Sequence, residues 1–210
     1  MSFRFYAFKL SGIMALVFVA QLLIPGFTDI FVLNTKAWVE VWRFVASIFL
    51  HGGVGHLLYN LFALMLFGSV LEALIGGKRF IFVFFVTGII ANLISVNFYS
   101  SSLGASGAIF GVIGALIFVR PLQVVWAFSL PMPIFVAGIL WAIGDIIGAV
   151  GFFAGNPIDN TGNIAHLSGM GFGLLLGIFY RRKFGKRKRN ERFKLDEKTA
   201  RDWENNWMRI

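Results

Sequence analysis

Two side chains suited to acyl transfer open separate apolar runs of this chain. Ser106 lies in Gly104-Ala105-Ser106-Gly107-Ala108, and His166 lies in Ala165-His166-Leu167-Ser168-Gly169. A serine hydroxyl is a poor nucleophile unless a base stands within about 2.6–3.2 Å of it. A neutral imidazole is such a base, because it takes the proton and later returns it to a leaving amine. The reaction also needs donors for the oxyanion, and losing one typically costs about 10²–10³ in rate. His56 and Asn60, four residues apart on one helix face, offer two. The Ser106 backbone N–H, freed at a helix start, offers a third. These groups act together only if the fold brings them to one place at one depth.

The elements that must do this are apolar. The 210 residues are 58% hydrophobic with a mean hydropathy of +0.78. A soluble domain is about half apolar at most, and runs of about 18 apolar residues recur here. The expected fold class is all-α, a polytopic bundle of six membrane-spanning helices. The spans are read at about Phe5–Ile24, Leu57–Ile75, Phe80–Tyr99, Ala105–Val119, from Pro131 and Pro133 to Phe153, and Gly162–Tyr180. No signal-peptide cleavage pattern follows the first, so it is kept as a span. Asp29–Gly55, with Trp38, Trp42 and Arg43, reads as interfacial structure. The expected organisation is a membrane domain over residues 1–181 and a basic tail over 182–210. There is no cysteine, hence no disulfide and no thiolate metal site.

Charge orients the bundle. One set of flanks collects Arg4, Lys9, Lys78, Arg79, Arg120 and the 12 basic residues from Arg181 onward, while the other holds only Lys36 and Arg43. The first set is expected to be cytoplasmic, with both termini inside the cell (inner) membrane. The tail, 12 Lys/Arg against 5 Asp/Glu, reads as an anchor at an anionic leaflet, so no nucleic-acid partner is expected.

Spans two, four and six then run from outside to inside, and His56, Ser106 and His166 all fall near the outer face. The fourth span, 15 residues or about 22 Å, is shorter than a hydrocarbon core of about 30 Å. Its serine therefore starts below the outer surface, where irregular backbone must be buried or line a wet cavity. Gly107, Gly111 and Gly114 form a stripe on this span, and His166, Gly169 and Gly173 share a face of the sixth. Small residues at this spacing let helix backbones approach closely, which would seat the sixth helix on the fourth.

With those residues in view, the sequence resembles the rhomboid family of intramembrane serine proteases. Gly104-x-Ser106-Gly107 is similar to the family's nucleophile motif, His56-x-x-x-Asn60 to its oxyanion motif, and Ala165-His166-x-x-Gly169-x-x-x-Gly173 to its base-bearing helix. Trp42-Arg43 sits where an outer-loop pair is found, and Glu72 where a structural acid closes the second helix. The resemblance covers about residues 1–181. It implies a Ser106–His166 dyad without a required acid, His56 and Asn60 on the oxyanion, no cofactor and no metal. It also implies single-span membrane proteins as substrates, cut near the outer boundary. Phe110 departs from it, since many relatives carry a tyrosine there to pack on the histidine. Phenylalanine keeps the stacking surface and loses the hydroxyl, so weaker tuning is expected rather than inactivity.

The remaining polar residues are expected to be structural. His51 reads as a hydrogen-bonder. Three histidines at one depth suggest a metal, but no carboxylate or thiol has ligand spacing with them. Asp145, an acid within the fifth span, reads first as a water-lined or hydrogen-bonded structural group, with an orienting role toward His166 left open. Asn92 and Asn97 are expected to bond between helices. Trp203 and Trp207, four residues apart, read either as membrane-surface anchors or as disordered. Two other functions stay open: a catalytically silent relative that binds transmembrane partners, and a solute transporter, which would need paired broken helices. Oligomeric state is not legible.

Overall fold

A computed structural model describes residues 4–156 and 162–184. Helix α1 (Tyr6–Leu23) is followed by α2 (Phe27–Phe31), a 3-10 turn (Thr35–Trp38), α3 (Arg43–Ala46) and a second 3-10 turn (Ser47–Phe49). Helices α4 (Val54–Ala63) and α5 (Ser69–Ile75) are joined by a π turn (Leu64–Gly68). Then come α6 (Gly77–Ser95), α7 (Ser106–Val119), strands β1 (Val124–Ala127) and β2 (Leu130–Pro133), α8 (Ile134–Phe153) and α9 (Asn163–Phe184).

Among the described residues, five helical stretches are long and apolar enough to cross a membrane: Tyr6–Leu23, Val54–Ile75, Gly77–Ser95, Ile134–Phe153 and Asn163–Arg182. The remaining span of the sequence reading, its fourth, is α7, whose 14 residues are shorter still than expected. It is also the most enclosed, with Gly107 to Leu116 buried continuously. A helix apolar on every face belongs in the middle of a bundle. The chain is thus an integral membrane protein of helical, polytopic class.

One part is not helical. Between α7 and α8 the chain makes an antiparallel hairpin pairing Val124 with Pro133 and Ala127 with Leu130. The sequence reading placed only a connection there. Its two-residue turn holds Phe128 and Ser129 at φ +53° and +64°. The right-handed strand twist favours such a turn, although neither residue is the glycine or asparagine that usually signals one. Both prolines lie on β2, where a two-stranded ribbon needs no N–H on its outer edge.

The interfacial segment is held by buried Arg43, whose guanidinium donates to the carbonyls of Asp29 and Val32 at 2.8 Å and pairs with Glu40. Asn92 donates to the Phe44 carbonyl (2.8 Å) and to Ser47 Oγ (3.0 Å), tying this segment to α6. Asn97 does not bond between helices as expected. It is exposed and donates back to Leu93 and Ile94 of its own helix. Glu72 is buried and accepts the backbone N–H groups of Arg4 and Ala7, satisfying the free amides at the start of α1.

Candidate active site

The close approach of α7 and α9 builds the site. A Cβ added at Gly169 would stand 2.0 Å from the Gly107 carbonyl oxygen, and one at Gly173 the same distance from that of Gly111. Gly114 faces the Met170 carbonyl at 2.3 Å, and Gly177 faces Ala115 at 2.7 Å. Only hydrogen fits at these positions, so the two backbones meet directly. The glycine stripes predicted this packing, with Gly177 a fourth contact that the stripes did not include. The same register sets the first turn of α9 beside the first turn of α7.

Ser106 is the first residue of α7, and its Oγ lies 2.8 Å from His166 Nε2. On the other side of the ring, His166 Nδ1 lies 2.9 Å from Asp145 Oδ1 on α8. With Asp145 as a carboxylate, which only accepts, Nδ1 carries the proton. Nε2 is then the bare nitrogen and accepts from the serine hydroxyl. Phe110, one turn after the serine, stacks flat on the imidazole, centroids 4.3 Å apart and planes 8° apart. Three elements therefore fix the ring in place and in tautomer. Asp145 is hydrogen-bonded, as the sequence reading preferred, and its partner is the ring toward which an orienting role was left open. Trp141, Asp145 and Gly148 follow a 4-then-3 spacing on α8 and so share a face, and that face meets Phe110, His166 and Asn163. An acid in an apolar span was the available signal. Its depth alone did not reveal which ring it met.

His56, Asn60, Ser106 and His166 line one open hollow of about 1150 Å³. His56 Nδ1 accepts from the Gly52 amide at 3.4 Å, which leaves the proton on Nε2. That edge lies over Gly104, where an added Cβ would stand 2.7 Å from Cε1 and 2.9 Å from Nε2. Gly104 also has φ +122°, which side-chain-bearing residues rarely adopt. The glycine two residues before the serine is thus required twice over. The Gly104 amide donates to the Ser47 carbonyl at 2.9 Å, and Leu33 pairs with Ser102, so the interfacial segment holds the loop that delivers Ser106. Asn60 is buried and gives one amide hydrogen to the His56 carbonyl at 2.8 Å. Its second is available to the hollow.

His51 lies outside this set. Its ring is buried, packs edge-on to His56 at 5.2 Å and reaches the Phe49 carbonyl through Nδ1 at 3.2 Å. Burial, helped by the neighbouring His56, lowers its pKa from 6.5 to about 4, so it is neutral near pH 7. Among the described residues no group of three or more His, Cys, Asp or Glu could hold a metal. Trp203, Trp207 and the tail from residue 185 onward lie outside the described residues.

The chain is 37% identical over 150 residues to rhomboid protease GluP of Bacillus subtilis, covering 70% of this chain and 28% of that protein. It is 33% identical over 149 residues to RHOMBOID-like protein 1 of Arabidopsis thaliana, covering 67% and 35%. To rhomboid protease GlpG of Haemophilus influenzae it is 28% identical over 179 residues, covering 80% of this chain and 87% of that one. The first two matches thus span about a third of those relatives' own lengths. The Rhomboid domain matches residues 39–183, which take in His56, Asn60, Ser106, Asp145 and His166, and with that match the chain belongs to the rhomboid family.

Proposed function

We propose that this protein is an intramembrane serine endopeptidase that cuts transmembrane segments of other membrane proteins. The observation that carries this reading is the 2.8 Å contact between Ser106 Oγ and the bare nitrogen of His166 inside an open hollow. Ser106 Oγ attacks the scissile carbonyl carbon while its proton passes to His166 Nε2. The carbonyl π pair becomes an oxyanion, held by His56 Nε2–H, the free Asn60 amide hydrogen and the Ser106 backbone N–H. The tetrahedral centre collapses, the C–N bond breaks, and His166 returns the proton to the departing amine. Water from the hollow then adds to the acyl-serine with His166 again as base, releasing the acid and restoring the hydroxyl.

On this reading substrate enters sideways from the lipid beside α8, only 28% of whose span is buried. Residues 1–181 form the catalytic membrane domain and 182–210 a basic tail. On this reading the protein lies in the cell (inner) membrane, and the Lys/Arg asymmetry supports both termini on its cytoplasmic side. Two relatives named as rhomboid proteases, from Bacillus subtilis and Haemophilus influenzae, support the class of activity. The test is cleavage of a single-span reporter in detergent or liposomes. Wild type should cut it, Ser106→Ala and His166→Ala should each lower turnover at least about 10³-fold, and His56→Ala or Asn60→Ala about 10²-fold. A Ser106→Ala protein that still cuts would end the proposal. A folded wild type that cuts no such reporter would favour the silent, partner-binding relative.

A further inference from the structure

We propose that Asp145 is a positioning residue for His166, so that the site works as a Ser–His–Asp triad rather than as the two-residue dyad the family resemblance implies. This inference rests on the Ser106–His166 reading and concerns the same ring. Three observations carry it. Asp145 Oδ1 stands 2.9 Å from His166 Nδ1 while Nε2 stands 2.8 Å from Ser106 Oγ, so the imidazole bridges acid and hydroxyl through opposite nitrogens. Both Asp145 and His166 are more than nine-tenths buried, and Asp145 Oδ2 has no hydrogen-bond partner among the described residues. An acid so placed gains little from water, and the imidazole is its visible partner. Finally, Asp145 sits on α8 while the serine and histidine sit on α7 and α9. The acid is therefore supplied by a third helix and is not a by-product of the glycine packing that joins the other two.

The bond does two things. It keeps the proton on Nδ1, so Nε2 is always the nitrogen that faces the hydroxyl. It also places an acceptor, and a negative charge when the acid is ionised, against the imidazolium that forms when the serine proton is taken. No atom leaves Asp145 and it touches no substrate, so its effect belongs to the chemical step and not to binding.

Asp145→Asn tests this, because the amide has the same shape. It can turn its NH₂ toward Nδ1, which forces the proton onto Nε2, the wrong nitrogen for the reaction. On a reporter that wild type cuts, kcat should fall about 10²-fold with KM within about twofold. The Tm should stay within a few degrees. A kcat within about twofold of wild type would overturn the proposal, as would a loss carried by KM or by unfolding. Two-bond ¹H–¹⁵N spectra of histidine-labelled protein in micelles supply a readout that needs no substitution at Asp145. In wild type the His166 resonances, identified by their loss in His166→Ala, should show Nδ1 protonated and Nε2 bare. In Asp145→Asn the pattern should shift toward the Nε2–H tautomer. A wild-type His166 with its proton on Nε2 would overturn the proposal without touching Ser106. If wild type cuts nothing, the functional reading fails alone, and the spectra still decide Asp145.

Discussion

Helices α9 and α8 both face α7, and they are held in different ways. Half of the α9 span is buried, and it meets α7 backbone to backbone through Gly107, Gly111, Gly114, Gly169, Gly173 and Gly177. Only 28% of the α8 span is buried, with Ile139, Leu140, Ile143, Ile146, Ile147 and Val150 all exposed. Where α8 is close, it meets side chains: Gly138 faces Ile117 and Gly148 faces Asn163. Side chains can rotate aside and carbonyls cannot, so one contact is rigid and the other can give. Ser106 and His166 ride on the rigid pair, and Asp145 rides on the looser helix. The close contact fixes the hydroxyl–imidazole distance, and under the proposed function α8 is the helix that would yield to a substrate and carry Asp145 with it.

The largest expected effect would break this contrast directly. Gly173→Leu, or even Gly169→Ala, forces a carbon to 2.0 Å from a carbonyl oxygen. Overpacking of this kind costs about 1–3 kcal/mol or more, so Tm should drop sharply and cleavage should be lost. Gly144→Ala on α8 and Gly171→Ala on the far face of α9 meet nothing within 4 Å and should leave Tm unchanged. Equal losses in all four would refute the division into rigid and yielding contacts. Next comes the tie from α6 to the interfacial segment. Asn92→Ala leaves the buried Phe44 carbonyl and Ser47 hydroxyl short of a partner, a cost of about 1–3 kcal/mol in thermal unfolding. Asn97→Ala, on an exposed asparagine bonded to its own helix, should cost less than about 0.5 kcal/mol.

Phe110 lies where the two regions meet, stacked on His166 and 6.3 Å from Trp141 of α8. Phe110→Leu removes the stack and should cost about 0.5–1.5 kcal/mol, read as roughly threefold to tenfold in kcat. Phe110→Tyr should change kcat less. The smallest effect at neutral pH is at His51. Its folded-state pKa is about 4 against 6.5 in the unfolded chain, so the unfolded state binds the proton more tightly. The stability it contributes is whole above pH 6.5 and is lost as pH falls toward 4. The Tm of wild type should decline across that window, and that of His51→Gln should decline less. Parallel declines would show that other groups carry the acid sensitivity.

Much of the site was legible because its signals are local. Ser106, His166, the His56–Asn60 pair and the two glycine stripes are each short spacings, and membrane depth alone brought them together. Three features were not legible. The hairpin at Val124–Pro133 lacks a turn signature, since its left-handed residues are Phe128 and Ser129. Asn92 and Asn97 looked alike in sequence, and only the packing of α3 against α6 separates them. Asp145 could be placed by depth but not by azimuth, because the rotation of α8 about its own axis follows from Trp141, Gly138 and Gly148 finding their partners.

The central claim is that Ser106 is a nucleophile made reactive by the imidazole beside it. A fluorophosphonate probe reads this without any knowledge of substrate. Incubated with folded wild type in detergent, it should add one phosphonyl group, located at Ser106 by peptide mass spectrometry. Folded His166→Ala should take up the label at least about 10³-fold more slowly. Wild-type protein left unmodified at Ser106, or labelled equally fast without His166, would contradict the account.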